Sequence, residues 1–341
     1  MLQCIYYKKF RGERMNVKQQ VLAALERNKG EYISGTNLSK RLNVSRNAVW
    51  KAIKSLQDDG YEINGVKNRG YSLSTNSDII SAQSVAKFLS SDAKHFDIEV
   101  CDVIDSTNTQ LKIEAGNGAL EGRVIIANEQ TSGRGRMNRK FYSPSHTGIY
   151  MSILLRPKIT AEESLFLTTA AAVAVAKSIE EISGCDAKIK WVNDIFCNGR
   201  KVCGILTEAT LDIESGGLQY AVVGIGINII PPRGDFPSEL HGIATSIFEK
   251  EDYYTEAKSK LVAQILNEFW QYYQNIGSKN FLDEYRRRSN IIGKEVTIHY
   301  ANKMEKALVL GIDDECHLTV KTANGAIKSL SSGEVSIRGF K

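Results

Sequence analysis

Residues 202–229 have the sequence VCGILTEATLDIESGGLQYAVVGIGINI, and this stretch decides the class of fold. Two apolar runs, Val202–Thr207 and Leu218–Ile229, flank the turn residues Ser215-Gly216-Gly217. Apolar runs of this length, separated by turn residues, predict two long strands that pair as a hairpin. A hairpin of this length is typical of an antiparallel sheet and not of a doubly wound one.

Further strands and helices are mixed around this hairpin. The pattern predicts strands at Ile98–Val103, Val124–Ala127, Gly148–Leu155 and Lys188–Trp191. It predicts helices at Ser84–Leu89, Leu165–Ser183 (with Gly184 as the C-terminal cap) and Thr255–Asn275. Hairpins with helices to one side predict an α+β domain over residues 80–290.

The two ends of the chain have different patterns. From residue 291, short alternating strands and the hairpin turn Asn324-Gly325 predict an SH3-like β-barrel over residues 291–341. Residues 16–76 contain three short helical patterns and then a hairpin, which is the spacing of a winged helix-turn-helix domain. Ser34 and Ser45 are expected to cap its second and third helices. The fold class is therefore α+β and multidomain.

Residues 1–15 fit no amphipathic pattern and are expected to form a non-structural N-terminal extension. We hypothesise that Met15 is the true start of the protein. Mass spectrometry of the native protein tests this, since a mass that begins at Met1 refutes it.

Composition narrows the class of protein. The 341 residues suit two or three domains, and 42% hydrophobic with 24% charged residues is ordinary globular usage. No apolar run approaches the roughly 20 residues of a membrane helix, so no membrane partner is expected, and the scattered cysteines fit a reducing cytoplasm. The six cysteines form no CxxC pair, and the five histidines have no ligand spacing. This argues against a zinc site, a disulfide framework or any metal held by a side-chain cluster.

Positive charge is concentrated at the N-terminal end. Residues 1–74 contain 14 Lys and Arg against 6 Asp and Glu, whereas the remainder is slightly acidic. This favours DNA over protein docking as the role of the winged helix, with a dimer on two half-sites. The candidate DNA-binding residues begin the third helix or lie in the wing: Ser45, Arg46, Asn47, Trp50, Lys51, Lys67 and Arg69.

The arginine loop, Gln130–Lys140, is the most informative segment, with two glycines interleaved with three arginines. Glycine lets a ligand approach the backbone closely, and arginine matches the geometry of phosphate and carboxylate. The alternatives are a solvated loop and a nucleic-acid-binding tract. The loop lacks the GxxxxGK[ST] pattern of a Walker A motif.

Three other segments carry candidate chemistry. A strand ends at the segment Lys190-Trp191-Val192-Asn193-Asp194. Its lysine either stabilises an oxyanion or is a surface residue that precedes an Asx turn. Gly204, Gly224 and Gly226 lie inside strands, where glycine marks a closely packed ligand or a bulge. Asp105-Ser106-Thr107-Asn108 either caps the next helix or binds the polar end of a small ligand.

In this order and at these spacings, the four segments resemble those of the biotin–protein ligase family, in its bifunctional branch that also represses biotin operons. The family carries D-S-T-N, G-R-G-R-x-G-R, K-W-P-N-D, K-x-x-G-I-L and G-x-G-x-N elements. With the winged helix and the barrel, the resemblance extends over nearly the whole chain. Three residues depart from it: Asn138 replaces a glycine, Val192 a proline and Phe141 an adenine-stacking tryptophan.

The resemblance implies a class II synthetase-like domain that activates biotin with ATP and Mg²⁺ to biotinyl-5′-AMP. The biotinyl group then passes to a lysine of a biotin carboxyl carrier protein. The resemblance also implies repression of genes for biotin synthesis or uptake, with a homodimer that the adenylate promotes. The arginine loop is expected to be mobile when empty, because its like charges repel and its glycines are flexible.

The resemblance also assigns residues. The implied catalytic residues are Lys190, Arg134 and Arg136. The implied biotin-binding residues are Ser106, Thr107, Asn108, Gln130, Arg134, Arg136, Lys190, Gly204, Gly224 and Gly226. The implied ATP-binding residues are Gly133, Arg134, Gly135, Arg136, Arg139, Phe141, Asn193, Asp194 and Asn228. The role of Asp194 stays open between orienting Lys190, helping to deprotonate the acceptor lysine and contacting a metal.

Two alternative functions stay open. A lipoate–protein ligase shares the catalytic fold and the adenylate chemistry, although the G-R-G-R and K-W-x-N-D elements favour biotin. A ligand-sensing repressor without ligase activity is the other, and the intact Lys190, Arg134 and Arg136 argue against it.

Overall fold

The computed structural model describes residues 15–212, 214, 216–249, 253–300 and 303–337. By their contacts, the residues fall into two units, Met1–Phe88 and Leu89–Lys341. Except for Met15, the extension predicted over residues 1–15 lies outside the described residues.

The first unit has the predicted winged helix-turn-helix fold. Its elements are α1 (Val17–Arg27), α2 (Gly35–Leu42), α3 (Arg46–Asp58), β1 (Ile63–Val66), β2 (Gly70–Leu73) and α4 (Ala82–Ala86). The hydroxyls of Ser34 and Ser45 accept hydrogen bonds from the N–H groups of Asn37 and Ala48, which confirms both predicted caps. Asn43, in the left-handed region at φ 52°, makes the turn between α2 and α3.

The core of this unit lies between its first three helices and the hairpin. Leu25, Leu38, Ile53 and Leu73 are fully buried there. The helix predicted at Ser84–Leu89 begins two residues earlier, where Ser81 provides the N-terminal cap, and it ends at Ala86.

A seven-stranded sheet forms the centre of the second unit. Its strands are β3 (Asp97–Ile104), β4 (Arg123–Gln130), β5 (Gly148–Leu155), β6 (Lys188–Lys190), β7 (Asp194–Cys197), β8 (Arg200–Leu211) and β9 (Leu218–Asn228). The order is β3-β4-β5-β9-β8-β7-β6. β8 and β9 pair antiparallel along their length, as the 202–229 stretch predicts, whereas β3 and β4 are parallel.

Helices cover both faces of this sheet. They are α5 (Thr107–Gly116), α6 (Ser164–Ser183), α7 (Ala257–Tyr273) and α8 (Leu282–Arg288). Thr168 of α6 donates a hydrogen bond to Thr207 of β8, whereas Asn108 of α5 donates to Glu208, the next residue of the same strand. Since successive side chains of a strand point to opposite faces, α5 and α6 lie on opposite sides. The prediction of helices to one side was therefore wrong for α5.

The long helix α6 agrees closely with its prediction. It is buried along most of its length, contacts α7 and ends at Gly184, whose φ of 70° is the left-handed conformation expected of a C-terminal cap. Its uniform burial explains why the sequence shows an apolar run instead of one apolar face.

An antiparallel sheet forms the SH3-like C-terminal domain. Its strands are β10 (Glu295–Tyr300), β11 (Lys303–Ile312), β12 (Leu318–Thr322), β13 (Ile327–Leu330) and β14 (Glu334–Ile337), in the order β13-β12-β11-β10-β14. The predicted turn at Asn324-Gly325 joins β12 to β13. Arg286 of α8 donates to the carbonyl of Ile312 and pairs with Asp314 at 2.7 Å, which ties this domain to the central one.

The cysteine spacing argues against a disulfide framework, and the described residues contain one disulfide bond that it did not predict. Cys185 and Cys197 are bonded, because the end of α6 lies against β7 although 12 residues separate the two in sequence. Elsewhere in the described part of the chain, Cys101, Cys203 and Cys316 are free thiols. The same part contains no group of three His, Cys, Asp or Glu side chains that could hold a metal. It also contains no helix with the length and apolar character needed to cross a membrane.

Candidate active site and DNA-binding face

A cavity of about 1000 Å³ opens in the second unit, on the face of the sheet that carries α5. All four segments that the sequence singled out contribute to its walls. The lining residues include every one predicted to act in catalysis or to bind biotin or ATP. The C-terminal domain contributes Gly333 and Val335.

One wall of the cavity is the start of α5, where Ser106 is the cap. Thr107 Oγ1 and Asn108 Oδ1 lie 2.7 Å and 2.6 Å from the buried hydroxyl of Ser152. Because an amide oxygen only accepts, Ser152 donates to Asn108, and Thr107 donates to Ser152 or to Gln130 Oε1 at 3.2 Å. Either way, the proton of Thr107 is used within the protein, so a lone pair on its oxygen can accept from the N–H of a ligand. The predicted capping and ligand-binding roles are compatible.

Glycines form the floor of the cavity, where β5, β9 and β8 pair without a register shift at Gly224 or Gly226; the shift between β8 and β9 lies farther along, at Thr210 and Leu211. A Cβ on Gly224 would lie 2.8 Å from Asn108 Cγ and closer still to its Oδ1. A Cβ on Gly226 would lie 2.5 Å from the ring of Phe141. These glycines therefore serve close packing, and the alternative of a bulge is wrong.

The arginine loop forms a short hairpin over this floor. Phe141 N–H donates to the carbonyl of Gly133, and Gly135 N–H donates to that of Arg139. At the tip, Met137 and Asn138 have φ values of 54° and 58°. Asparagine is among the residues that best tolerate this conformation after glycine, which explains how Asn138 stands where the family has glycine.

Two arginines of the loop contact different parts of the second unit. Arg134 Nη1 lies 3.3 Å from Glu208 Oε1, on β8. Arg136 donates to Asn193 Oδ1 and to the carbonyl of Gly333, both at 3.1 Å. The loop is thus attached to the sheet, to the turn after β6 and to the C-terminal domain.

Lys190 ends β6 and lines the cavity, and the turn of residues 191–193 follows it. Buried hydrogen bonds fix this turn. Trp191 Nε1 donates to the carbonyl of Cys316, and Tyr285 donates to that of Val192. The peptide bond between Trp191 and Val192 is cis. The turn presents Lys190 and Asn193 to the cavity on the same side as the arginine loop.

Asp194 forms an ion pair with Lys201 Nζ at 2.6 Å. Lys201 also lines the cavity, although the sequence analysis did not select it. It begins the K-x-x-G-I-L element, so that element was a signal that could have found it. Ser152 and Glu208 were also missed, because nothing in the sequence distinguishes them from other strand residues.

Two ionisable groups on the cavity wall stay neutral. Burial raises the pKa of the Cys203 thiol and that of the Tyr150 phenol well above their ordinary values. A neutral thiol is a poor nucleophile, so covalent catalysis through Cys203 has no support.

The candidate DNA-binding face belongs to the first unit. Every residue predicted to contact DNA is exposed, on the start of α3 or in the β1–β2 wing. Trp50 has 51% of its surface exposed, which is high for tryptophan in a folded unit. The guanidinium of Arg69 lies 4.5 Å from the centre of the Tyr32 ring. This face has the shape and charge of a recognition helix with a basic wing.

Comparisons with known proteins agree with this architecture. Sequence profiles match residues 17–72 (HTH domain), 100–228 (Biotin/lipoate A/B protein ligase family) and 291–338 (Biotin protein ligase C terminal domain). The chain is 34% identical to the bifunctional ligase/repressor BirA of Bacillus subtilis over 95% of its own length and 99% of that protein's. It is 29% identical to BirA of Escherichia coli over 91% and 94% of the two lengths.

A solved structure is similar as well. The biotin protein ligase from Aquifex aeolicus in complex with biotin and ATP is 25% identical, with a TM-score of 0.55. The match covers 71% of this chain and 98% of that one. With the winged helix, the cavity and the C-terminal sheet all in place, the chain belongs to the biotin protein ligase family, in its bifunctional ligase/repressor branch.

Proposed function

We propose that the cavity joins biotin to ATP as biotinyl-5′-AMP and then transfers the biotinyl group to a lysine of a biotin carboxyl carrier protein. One observation carries the proposal: Lys190, Arg136 and the glycine floor line the same cavity. Glycines on the strands let side chains and a flat ligand pack close to the backbone, and the cations that line the same cavity suit a carboxylate and phosphates.

Biotin would lie along Gly224 and Gly226, with its ureido group at the start of α5. Thr107 has a lone pair for a ureido N–H, and the ordered amide of Gln130 lies beside it, donating to Ser143 at 3.0 Å. Buried polar groups of this kind discriminate strongly, since a ligand that leaves them unpaired loses their hydrogen bonds. This arrangement supports biotin over lipoate, which has no ureido group.

The first step needs charge stabilisation more than proton transfer. A carboxylate oxygen of biotin attacks the α-phosphorus of ATP, and the bond to the β-phosphate oxygen breaks to release pyrophosphate. Lys190 would offset the negative charge that develops between the carboxylate and the α-phosphate. Arg136 and Arg139 would hold the phosphates, and Asn193 orients Arg136 at 3.1 Å.

Mg²⁺ would accompany the phosphates. The described residues offer no cluster of carboxylates for a metal, which fits an ion that is bound chiefly by phosphate oxygens and water. Bound in this way, Mg²⁺ would neutralise part of the triphosphate charge. Asp194 is paired with Lys201, so we propose that it positions Lys201 at the cavity edge.

In the second step, the amine of the acceptor lysine attacks the acyl carbon of the adenylate. AMP leaves with the former carboxylate oxygen, and the amine loses a proton. The arginine loop would exclude water from the mixed anhydride until the acceptor arrives.

The deciding experiment incubates the protein with biotin, Mg-ATP and an isolated biotin-acceptor domain, and measures the mass of that domain. We expect the mass of one biotinyl group on the acceptor. Lipoic acid in place of biotin is the parallel arm. Transfer of lipoate alone would favour the lipoate ligase, and no product in either arm would favour the ligand-sensing repressor.

We propose that Phe141 stacks on adenine. Phe141→Leu keeps a similar volume without the aromatic face, so we expect the KM for ATP to rise about ten-fold. Phe141→Trp restores the larger surface and should lower that KM. Steady-state pyrophosphate release measures both, and an unchanged KM for ATP in both variants would contradict the assignment.

We propose that the first unit binds operator DNA. Arg46, Asn47 and Trp50 would contact bases in the major groove, and Lys67 would contact the DNA phosphates beside it. By the geometry of helix-turn-helix proteins, two units bind two half-sites, so the adenylate-bound chain is expected to dimerise. Sedimentation with and without biotin and ATP tests the dimer.

Because ATP, carrier proteins and operator DNA share one compartment in bacteria, we propose a cytoplasmic location.

The wing contact has its own prediction. Lys67→Ala should weaken binding to a duplex of random sequence. The slope of log K against the logarithm of the salt concentration should become shallower by about 0.9. Arg27→Ala is the control, since this substitution removes the same charge from the end of α1, which lies outside α3 and the wing. Equal salt slopes for Lys67→Ala and the unaltered protein, measured by fluorescence anisotropy, would exclude the wing from the interface.

A further inference from the structure

Glu208 joins the two ends of the biotin slot. It lies on β8 on the same face as Leu206, which lines the cavity. One carboxylate oxygen accepts from Asn108 Nδ2 at 2.9 Å. The other lies 2.6 Å from Lys112 Nζ and 3.3 Å from Arg134 Nη1. One side chain thus contacts both the start of α5 and the arginine loop.

The contact with Asn108 fixes an orientation. An ionised carboxylate only accepts hydrogen bonds, so it draws the NH₂ end of the Asn108 amide toward itself. The Oδ1 end is then left to accept from Ser152, and this sets the hydroxyl of Thr107. Glu208 therefore acts on the polar end of the slot through two intervening side chains.

The contact with Arg134 fixes the position of the arginine loop relative to the sheet. Arg134 lies between Gly133 and Gly135, whose backbone groups pair with Phe141 and Arg139 in the hairpin of the loop. The ion pair joins this part of the loop to a strand of the sheet, and each partner is only partly exposed, at 41% and 20% of the side chain. Burial alone would raise the pKa of Glu208, but hydrogen bonds from Lys112 and Asn108 lower it, so the carboxylate is ionised at neutral pH.

We infer that Glu208 is a positioning residue for ligation: it orients Asn108 in the biotin slot and, through Arg134, holds the arginine loop over the bound acyl-adenylate. This inference rests on the proposed function of the cavity. Its test therefore includes a measurement that needs no ligation.

The variants are Glu208→Gln, Glu208→Asp and the control Glu114→Gln. Glutamine can still accept from Asn108 through its amide oxygen, but its NH₂ then faces Lys112 and Arg134, so the loop contact is lost. Aspartate keeps the charge. Glu114 pairs with Arg123 at 2.9 Å, has a similar exposure of 15%, and lies on the far end of α5.

The first measurement is the rate of tryptic cleavage within the loop, at Arg136, Arg139 and Lys140, followed by mass spectrometry. We expect Glu208→Gln to be cleaved at least five-fold faster than the unaltered protein, with Glu208→Asp intermediate and Glu114→Gln unchanged. A uniform rate across the variants would overturn the inference whether or not the protein proves to be a ligase.

The second measurement is the split between KM and kcat, together with the rate at which biotinyl-5′-AMP escapes. Glu208→Gln should raise the KM for biotin about ten-fold and speed escape of the intermediate, with a smaller change in kcat. In the cleavage assay, adding Arg134→Gln to Glu208→Gln should cause no further acceleration at Arg136, Arg139 and Lys140, because both substitutions remove the same pair. Additive acceleration at these sites, or a rise in the KM for biotin of the same size in Glu114→Gln, would reduce Glu208 to a structural role.

Discussion

Replacing Lys190 with alanine should reduce formation of biotinyl-5′-AMP by about 1000-fold while the Kd for biotin changes less than three-fold. The reason is that Lys190 would act on charge that develops as the carboxylate attacks the α-phosphate, and removing one preorganised donor of this kind costs about 10²–10³ in rate. Biotin itself is held mainly by the glycine floor and the start of α5. Pyrophosphate release measures the first quantity, and isothermal titration calorimetry measures the second.

Lys188→Ala is the matched control. Lys188 lies on the same strand, and its partner Asp186, 2.7 Å away, has 69% of its side chain exposed. Such a surface pair contributes little, so this variant should keep its turnover. Lys190→Arg should stay impaired, since a planar guanidinium cannot replace a compact ammonium in a fixed slot. Near-normal pyrophosphate release by Lys190→Ala would remove the lysine from the mechanism.

Replacing Gly224 with alanine should abolish biotin binding at millimolar concentration. The new methyl group would collide with Asn108 Cγ at 2.8 Å, and Asn108 cannot yield easily because Ser152, Leu206 and Glu208 all hold it. The start of α5 must move, which closes the slot and breaks the orientation of Thr107. Overpacking of this kind also lowers the free energy of unfolding by about 1–3 kcal/mol.

Two further variants show whether the loss comes from this collision. Gly311→Ala places the same methyl group in a strand of the C-terminal domain where no atom lies within 4 Å of the new Cβ, so it should leave binding and unfolding unchanged. Adding Asn108→Ala to Gly224→Ala should recover much of the unfolding free energy, measured by urea denaturation, but not the affinity for biotin. If Gly224→Ala binds biotin as tightly as the unaltered protein, the glycine floor is not the biotin slot.

Local signals explain which parts of the fold could be predicted. Ser34, Ser45 and Gly184 mark helix ends by side-chain or backbone chemistry that does not depend on distant residues, and all three were placed correctly. The strands of the long hairpin were predicted for the same reason. β7 was missed because its four residues follow a turn and show too little alternation. The position of α5 was missed because the face of a sheet on which a helix packs depends on residues far away in the sequence.

The candidate site was predictable where its residues form motifs. The arginine loop, the lysine turn and the strand glycines were found because unusual residue types stand close together. Glu208, Lys201 and Ser152 act through partners that are distant in the chain, so only the folded sheet brings them to the cavity. The bond between Cys185 and Cys197 was missed for the same reason.

Two loops of the C-terminal domain support the cationic segments of the cavity. The carbonyl of Cys316 receives the indole of Trp191, next to Lys190, and the carbonyl of Gly333 receives Arg136. A minimal ligase for labelling applications therefore cannot be obtained by ending the chain after α8, although the seven strands of the central sheet would be complete. Such a truncation would remove the supports of both cationic segments, so a useful reagent has to retain the last fifty residues.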